Sequence, residues 1–223
     1  MRMRLARKLV SALLAAAVVS LAFIPSVDSH AYAGDLLVPE SWRSAHPGPF
    51  TIRVTLLVDE EWTALYGPRA RGEAAAALDD AAARFENAGI HIELARYETW
   101  QSDGDAGSMG ELLSAVKDIP PGESDVIVAL TAQYHGRIGG ISDQDRRHLL
   151  VKHHPYRTDL DSFVLAHEMG HALGLDHHHC PHHYCLMSDH DYDPAKHWCP
   201  DHLRLLRANA GYFQYAGGTA PPG

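Results

Sequence analysis

The sequence is short of cysteine. Only Cys180, Cys185 and Cys199 occur in 223 residues, and an odd count excludes a fully paired disulfide framework within one chain. Positive charge is scarce too: 19 Lys and Arg stand against 28 Asp and Glu, a formal net charge of −9. With no basic excess to neutralise phosphates, an electrostatic nucleic-acid binder is excluded. Long apolar runs are confined to Leu9–Ile24, so nothing further along reads as a membrane span. No internal repeat is visible. What remains is 46% hydrophobic and 21% charged, the composition of a globular chain of one domain or at most two small ones.

Residues 1–33 read as a secretory signal peptide. Arg2, Arg4, Arg7 and Lys8 precede the apolar run, and a polar stretch ends in Ala31-Tyr32-Ala33, an A-x-A cleavage site. The competing reading is an anchor, but residues 9–24 fall short of the roughly 20 that a spanning helix needs. Cleavage after Ala33 removes four basic residues and Asp28, leaving 15 basic and 27 acidic side chains. The mature chain is expected to be soluble, secreted and without stable membrane association.

Gly34–Pro49, with three prolines, reads as an extended lead-in. Strands are expected at Phe50–Val58, Ile90–Tyr97, Asp125–Thr131 and His148–His153, with a short, irregular edge strand within Tyr134–Ser142. Helices are expected at Arg69–Ala88, closed by Gly89, and at Glu111–Lys117, Asp159–Leu173 and Asp201–Tyr215. Residues 216–223 form a Gly/Pro tail expected to be disordered. This order predicts one α/β (α+β) domain over residues 50–215, a mixed sheet flanked by helices. The helix between the first two strands makes them parallel.

Histidine is the anomaly. There are 17, more than Tyr, Phe or Trp, and ten fall between His167 and His202, where all three cysteines also lie. Residues 167–177 read His-Glu-Met-Gly-His-Ala-Leu-Gly-Leu-Asp-His. Four residues apart on a helix, His167 and His171 project from one face. Both nitrogens can then reach one zinc. Glu168 can reach a water on that metal without being a ligand. Gly174 lets the chain leave the helix in a left-handed conformation, and His177 swings back as a third ligand. Three protein ligands leave one position open, which marks a catalytic zinc. In a chain of this composition the five fixed positions co-occur by chance with odds on the order of one in a few thousand. Asp159 or Asp161 is placed to cap the helix.

This motif resembles the extended zinc signature of the metzincin metallopeptidases. The resemblance implies a methionine turn beneath the metal, for which Met187 in Cys185-Leu186-Met187-Ser188 is the candidate. It also implies a twisted sheet of about five strands, a peptide or protein substrate, and Glu168 as the catalytic base. Phe163–His177 looks like the matrixins, although no cysteine precedes Cys180 to act as their cysteine switch. The Cys-x4-Cys-Leu-Met run resembles the adamalysins. It also resembles the archaemetzincins, in which such cysteines and a later pair hold a second, structural zinc. Cys180, Cys185, Cys199 and His202 would then form a site of three thiolates and one imidazole. The rival reading is one disulfide plus a free thiol, suited to an oxidising compartment.

Other signals are weaker. His178, His179, His182 and His183 read as solvated surface residues, with auxiliary metal capture as the alternative. Asp103-Gly-Asp105-Ala-Gly107 is a fragment of a calcium loop that lacks the full ligand series, so it reads as a turn. Tyr192 and the four tryptophans read as packing or surface residues. The expected function is a secreted, monomeric zinc endopeptidase, its substrate extended along an edge strand near Gly136–Ile141. The alternative is an exported, non-enzymatic zinc scavenger. Glu168 discriminates, because scavenging needs no general base.

Overall fold

A computed structural model describes residues 36–216 except 103, 134–135, 144, 178–181 and 189–192. The leader, Cys180, His178, His179, Tyr192, Asp103 and the tail beyond Ala216 therefore lie outside the described residues. Five strands form one sheet in the order β2-β1-β3-β5-β4, where β1 is Phe50–Val58, β2 Ile90–Thr99, β3 Val126–Thr131, β4 Gly140–Ser142 and β5 His148–Lys152. β1 pairs in parallel with β2 and β3, and β3 with β5, while β4 runs antiparallel along β5 as the edge. The sheet is thus mixed, with the first two strands parallel as their connection requires.

The side-chain alternation of β3 shows how the layers divide. Val126, Val128 and Leu130 face the larger core with Ile52, Val54, Leu56, Leu149 and Val151, while Ile127 and Ala129 face the opposite side with Leu57 and Leu150. Helix α4, Met109–Lys117, covers that second side through Met109, Leu112, Leu113 and Val116. Ser108 caps it by accepting from the Glu111 amide. The larger face is covered by α3, Ala70–Ala82, and α5, Asp159–Ala172. β3 and the Leu149–Val151 centre of β5 are buried on both faces and read as continuous apolar runs, as inner parallel strands must, whereas β1 alternates in its first half and exposes Arg53.

Several boundaries differ from the sequence reading. The lead-in is not wholly extended, because Glu40–Ala45 form a helical turn, α1, that buries Trp42. Glu60–Tyr66 form a further helix, α2, capped by Asp59, whose carboxylate accepts from the Trp62 amide. The expected helix over residues 69–88 stops at Ala82, and Gly89 closes a separate short turn over Glu86–Ala88 instead. The last helix is two, α6 (Pro200–Asn209) and α7 (Tyr212–Ala216), broken where Gly211 meets the Trp42 ring.

α5 is the hub of the fold. Every residue from Asp161 to Ala172 is buried. One side lies on the sheet, and the other is covered by the returning C-terminal segment through Cys185, Leu186, Met187, Trp198, Leu206 and Phe213. A helix enclosed on all sides carries no polar stripe, and its few polar side chains need specific partners. Neither Asp159 nor Asp161 caps it, since Thr158 occupies the N-cap position without a side-chain bond. Asp159 pairs with Arg157 on the surface. Asp161 points inward instead, with Oδ2 2.6 Å from His153 Nδ1 and Oδ1 2.8 Å from the His154 amide. Burial opposes its charge, but the hydrogen bonds from His153 and His154 hold the carboxyl below its ordinary value. This buried bond pins the start of α5 to the end of β5.

Candidate active site

His167 and His171 lie in the last two turns of α5, and their imidazoles meet His177 from the loop beyond. The helix ends because Gly174 takes φ 82°. Its amide donates to the His171 carbonyl and the Leu175 amide donates to the Gly170 carbonyl, which turns the chain back toward the helix. A side chain at 174 would also lie 3.0–3.1 Å from Asn209, Leu37 and Arg146.

Two backbone carbonyls orient the rings. His167 Nδ1 lies 2.8 Å from the Leu186 oxygen, and His171 Nδ1 lies 2.9 Å from the Leu175 oxygen. A carbonyl only accepts, so each Nδ1 carries the proton and each neutral ring turns an Nε2 lone pair inward. The His177 Nε2 sits 2.8 Å from that of His167 and 3.1 Å from that of His171. Nitrogens ~2.0–2.1 Å from one zinc at tetrahedral angles are separated by about 3.3 Å. Three lone pairs crowded this closely fit a cation between them. Burial, reinforced by His177, lowers His167 to about 4, so it stays a neutral donor near pH 7.

Glu168 points to the sheet side of the same turn. It is 6% exposed, and burial pushes its carboxyl up to about 8, with the Ser142 side chain pulling the other way. Met187 is fully buried, and its sulfur lies 2.9 Å from where a side chain at Gly170 would begin. Trp198 crowds the same point at 3.0 Å and donates its indole N–H to the Arg84 carbonyl. Gly170, between the two helical histidines, thus lets a thioether and an indole pack directly under the helix.

A second cluster lies beneath. Cys185, Cys199 and His202 are buried, and their donor atoms lie within 4.8 Å of one another. Cys185 Sγ is 3.1 Å from His202 Nδ1. No disulfide joins Cys185 to Cys199. Burial lowers the His202 imidazole, so it too is a neutral donor. The structure brings these three together, and the fourth expected member, Cys180, lies outside the described residues. His182 and His197 flank Tyr184 in a surface stack with centroids 5.0 Å apart.

Residues 49–206 match a family model, Reprolysin_5, described as Metallo-peptidase family M12. The chain belongs to the M12 metallopeptidases. This M12 chain, a metzincin-like metallopeptidase, has no match among curated proteins. Its fold is similar to a chain in a solved structure described as "Structure of a chaperone-substrate complex", with TM-score 0.58 and 15% identity. The likeness covers 74% of the M12 chain but spans only 35% of the other. M12 metallopeptidases use zinc, and the three converging nitrogens suit that metal.

The sequence motif pointed to the histidines, Glu168 and Met187, and the structure groups them. Sequence reasoning missed the Leu175 and Leu186 carbonyls, the Trp198 floor, and Gly140 and Ser142 behind Glu168. The only sequence signal for the last pair was a run of glycines in the expected edge strand.

Proposed function

We propose that this chain is a secreted zinc endopeptidase. The observation that carries the reading is the convergence of three imidazole nitrogens, two of them from buried side chains of α5, beside the buried Glu168 carboxyl of that helix. His167, His171 and His177 would hold the metal. Zinc supplies a Lewis acid that polarises the attacking water and the scissile carbonyl. Glu168 takes the proton of the attacking water and delivers it to the leaving amine. Burial, which opposes the charge of the carboxylate, lets Glu168 hold the proton between the two transfers. β4 is the sheet edge next to Glu168, so an extended peptide can add to it as a further strand and lie across the three histidines.

Glu168→Gln tests the reading. The amide keeps the size of the carboxyl but cannot accept a proton, so peptide cleavage should fall at least about 10²–10⁴-fold with zinc content unchanged. Cleavage at the native rate would refute it, and a variant that binds zinc while neither form cleaves any peptide would favour the scavenger reading.

The Cys185, Cys199 and His202 cluster is proposed as a second, structural zinc site completed by Cys180. Thiolate-imidazole sets of this kind are closed structural sites. Secretion, a monomeric state, and the absence of nucleic-acid and stable membrane partners remain part of the proposal. The leader-like residues 1–33 support secretion, and the acidic balance supports the absence of a nucleic-acid partner.

A further inference from the structure

β4 turns two inward positions toward α5, and neither holds an apolar side chain. Gly140 and Ser142 are two residues apart on a strand, so they share a face. A Cβ at Gly140 would lie 2.7 Å from Glu168 Cγ, 2.7 Å from Val164 Cγ1 and 2.8 Å from Glu168 Oε1. The Glu168 carboxylate therefore rests directly against the strand backbone, at a point where no side chain fits.

Ser142 is the next residue on that face. It is 1% exposed, and its hydroxyl makes no well-aligned hydrogen bond among the described residues. Leaving a buried hydroxyl without a partner is costly, so its presence in the sheet calls for a reason. The polar side chain packed on that face is Glu168, whose Oε1 would lie 2.8 Å from a Cβ at Gly140, two residues along the strand. A hydroxyl rotor can turn to donate to a carboxylate, whereas the Val164 methyls on the other side cannot. Without such a donor, the terminal torsion of a glutamate is broad and roughly two-fold.

We propose that Ser142 is a positioning residue for Glu168, donating its hydroxyl to one carboxylate oxygen so that the other is presented to the attacking water. Gly140 completes the arrangement by leaving space for the carboxylate to lie flat against β4. The inference rests on Glu168 being the proton acceptor and adds the part of the sheet that aims it.

The test compares Ser142→Ala and Ser142→Thr with the parent in the zinc-loaded protein. Ser142→Ala should lower kcat about 10-fold, the size of one lost charge-assisted hydrogen bond, with KM within about two-fold and zinc content unchanged. Ser142→Thr keeps the hydroxyl and should recover most of that loss. A readout independent of activity is a thermal-unfolding cycle with Glu168→Ala. The effect of Ser142→Ala on Tm should shrink when the carboxylate is absent, whereas a merely structural serine gives additive shifts. Parental kcat in Ser142→Ala, additive Tm shifts, or loss of zinc would each overturn the proposal. The two readings fail separately: an active Glu168→Gln enzyme removes the general base itself. An inactive one beside a fully active Ser142→Ala removes only the positioning role.

Discussion

The two donor clusters around α5 are built in opposite ways. In the histidine cluster, two of three donors come from one helix at a spacing of four, and two backbone carbonyls lock their rings. In the thiol cluster, Cys185 comes from an irregular segment, Cys199 from the residue before α6, and His202 from the first turn of α6. They are joined by the bridge between Cys185 and His197, the Cys185–His202 contact and the packing of Leu186 and Met187. The first cluster is dictated locally; the second exists only when the chain has folded back on itself. A site of the first kind can keep an open coordination position without losing its shape. A site of the second kind needs its ligands to hold it together, which suits a closed structural metal.

The largest effect should come from the helix-borne cluster. His177→Ala removes one of three ligands, so the variant should lose the catalytic zinc and all measurable peptidase activity while its circular dichroism stays that of the parent. Metal analysis should show one fewer zinc per chain. Unchanged zinc in His177→Ala, with loss in His178→Ala or His179→Ala, would reassign the third ligand and break the comparison at its first term.

Cys199→Ser should give the reverse pattern. Serine is a poor zinc ligand, so one zinc should be lost with a drop in Tm of about 10 °C or more, because binding a structural metal contributes folding free energy. Residual activity at low temperature should remain, since none of the three catalytic imidazoles is touched. If metal analysis of the parent gives one zinc per chain, the second cluster is a pair of buried thiols and the disulfide reading with Cys180 regains ground.

How far each cluster was legible follows from the same contrast. The spacing in HEMGH is a property of a helix, and Gly174 is a property of a single φ angle, so His167, His171 and His177 could be read directly. The sheet was legible because β3 and the centre of β5 are apolar on both faces, a pattern that inner strands share, and because β1 is rich in β-forming residues. The capping role expected of Asp159 or Asp161 was not borne out. The buried bond from Asp161 to His153 joins positions eight apart, across a loop whose path no local pattern encodes. Likewise nothing in the sequence placed the Leu186 carbonyl on His167 or the β4 edge at Gly140 against Glu168, because backbone acceptors and sheet edges carry no residue signature.

A smaller effect separates Glu168 from its helical neighbours in the metal-free protein. Its folded pKa of about 8 lies above the ordinary 4.5, so between these values the folded chain binds more protons than the unfolded one. Stability attributable to this group is therefore full below about pH 4.5 and lost as pH rises toward about 8. Glu168→Gln removes that dependence. Its Tm gain over the parent should be greatest at pH 8 and vanish near pH 4.5. A gain independent of pH would mean that burial does not govern this carboxyl.

Met187 supplies the sharpest test, because it lies where the two clusters meet. Cys185, two residues before it, belongs to the lower cluster, and the Leu186 carbonyl between them holds His167. Its sulfur fills the space that Gly170 leaves under the helix, beside Trp198. An unbranched thioether suits such an irregular gap. Met187→Ala should therefore cost about 2–5 kcal/mol through the cavity left behind. Met187→Leu, nearly equal in volume, should cost less than about 1.5 kcal/mol. If the floor holds the upper cluster through the Leu186 carbonyl, Met187→Ala should also weaken zinc at the histidines, measured by competition with a chelator. Met187→Leu should not. A Met187→Ala protein that melts like the parent would make the residue a bystander, and the two clusters would then be neighbours without being mechanically joined.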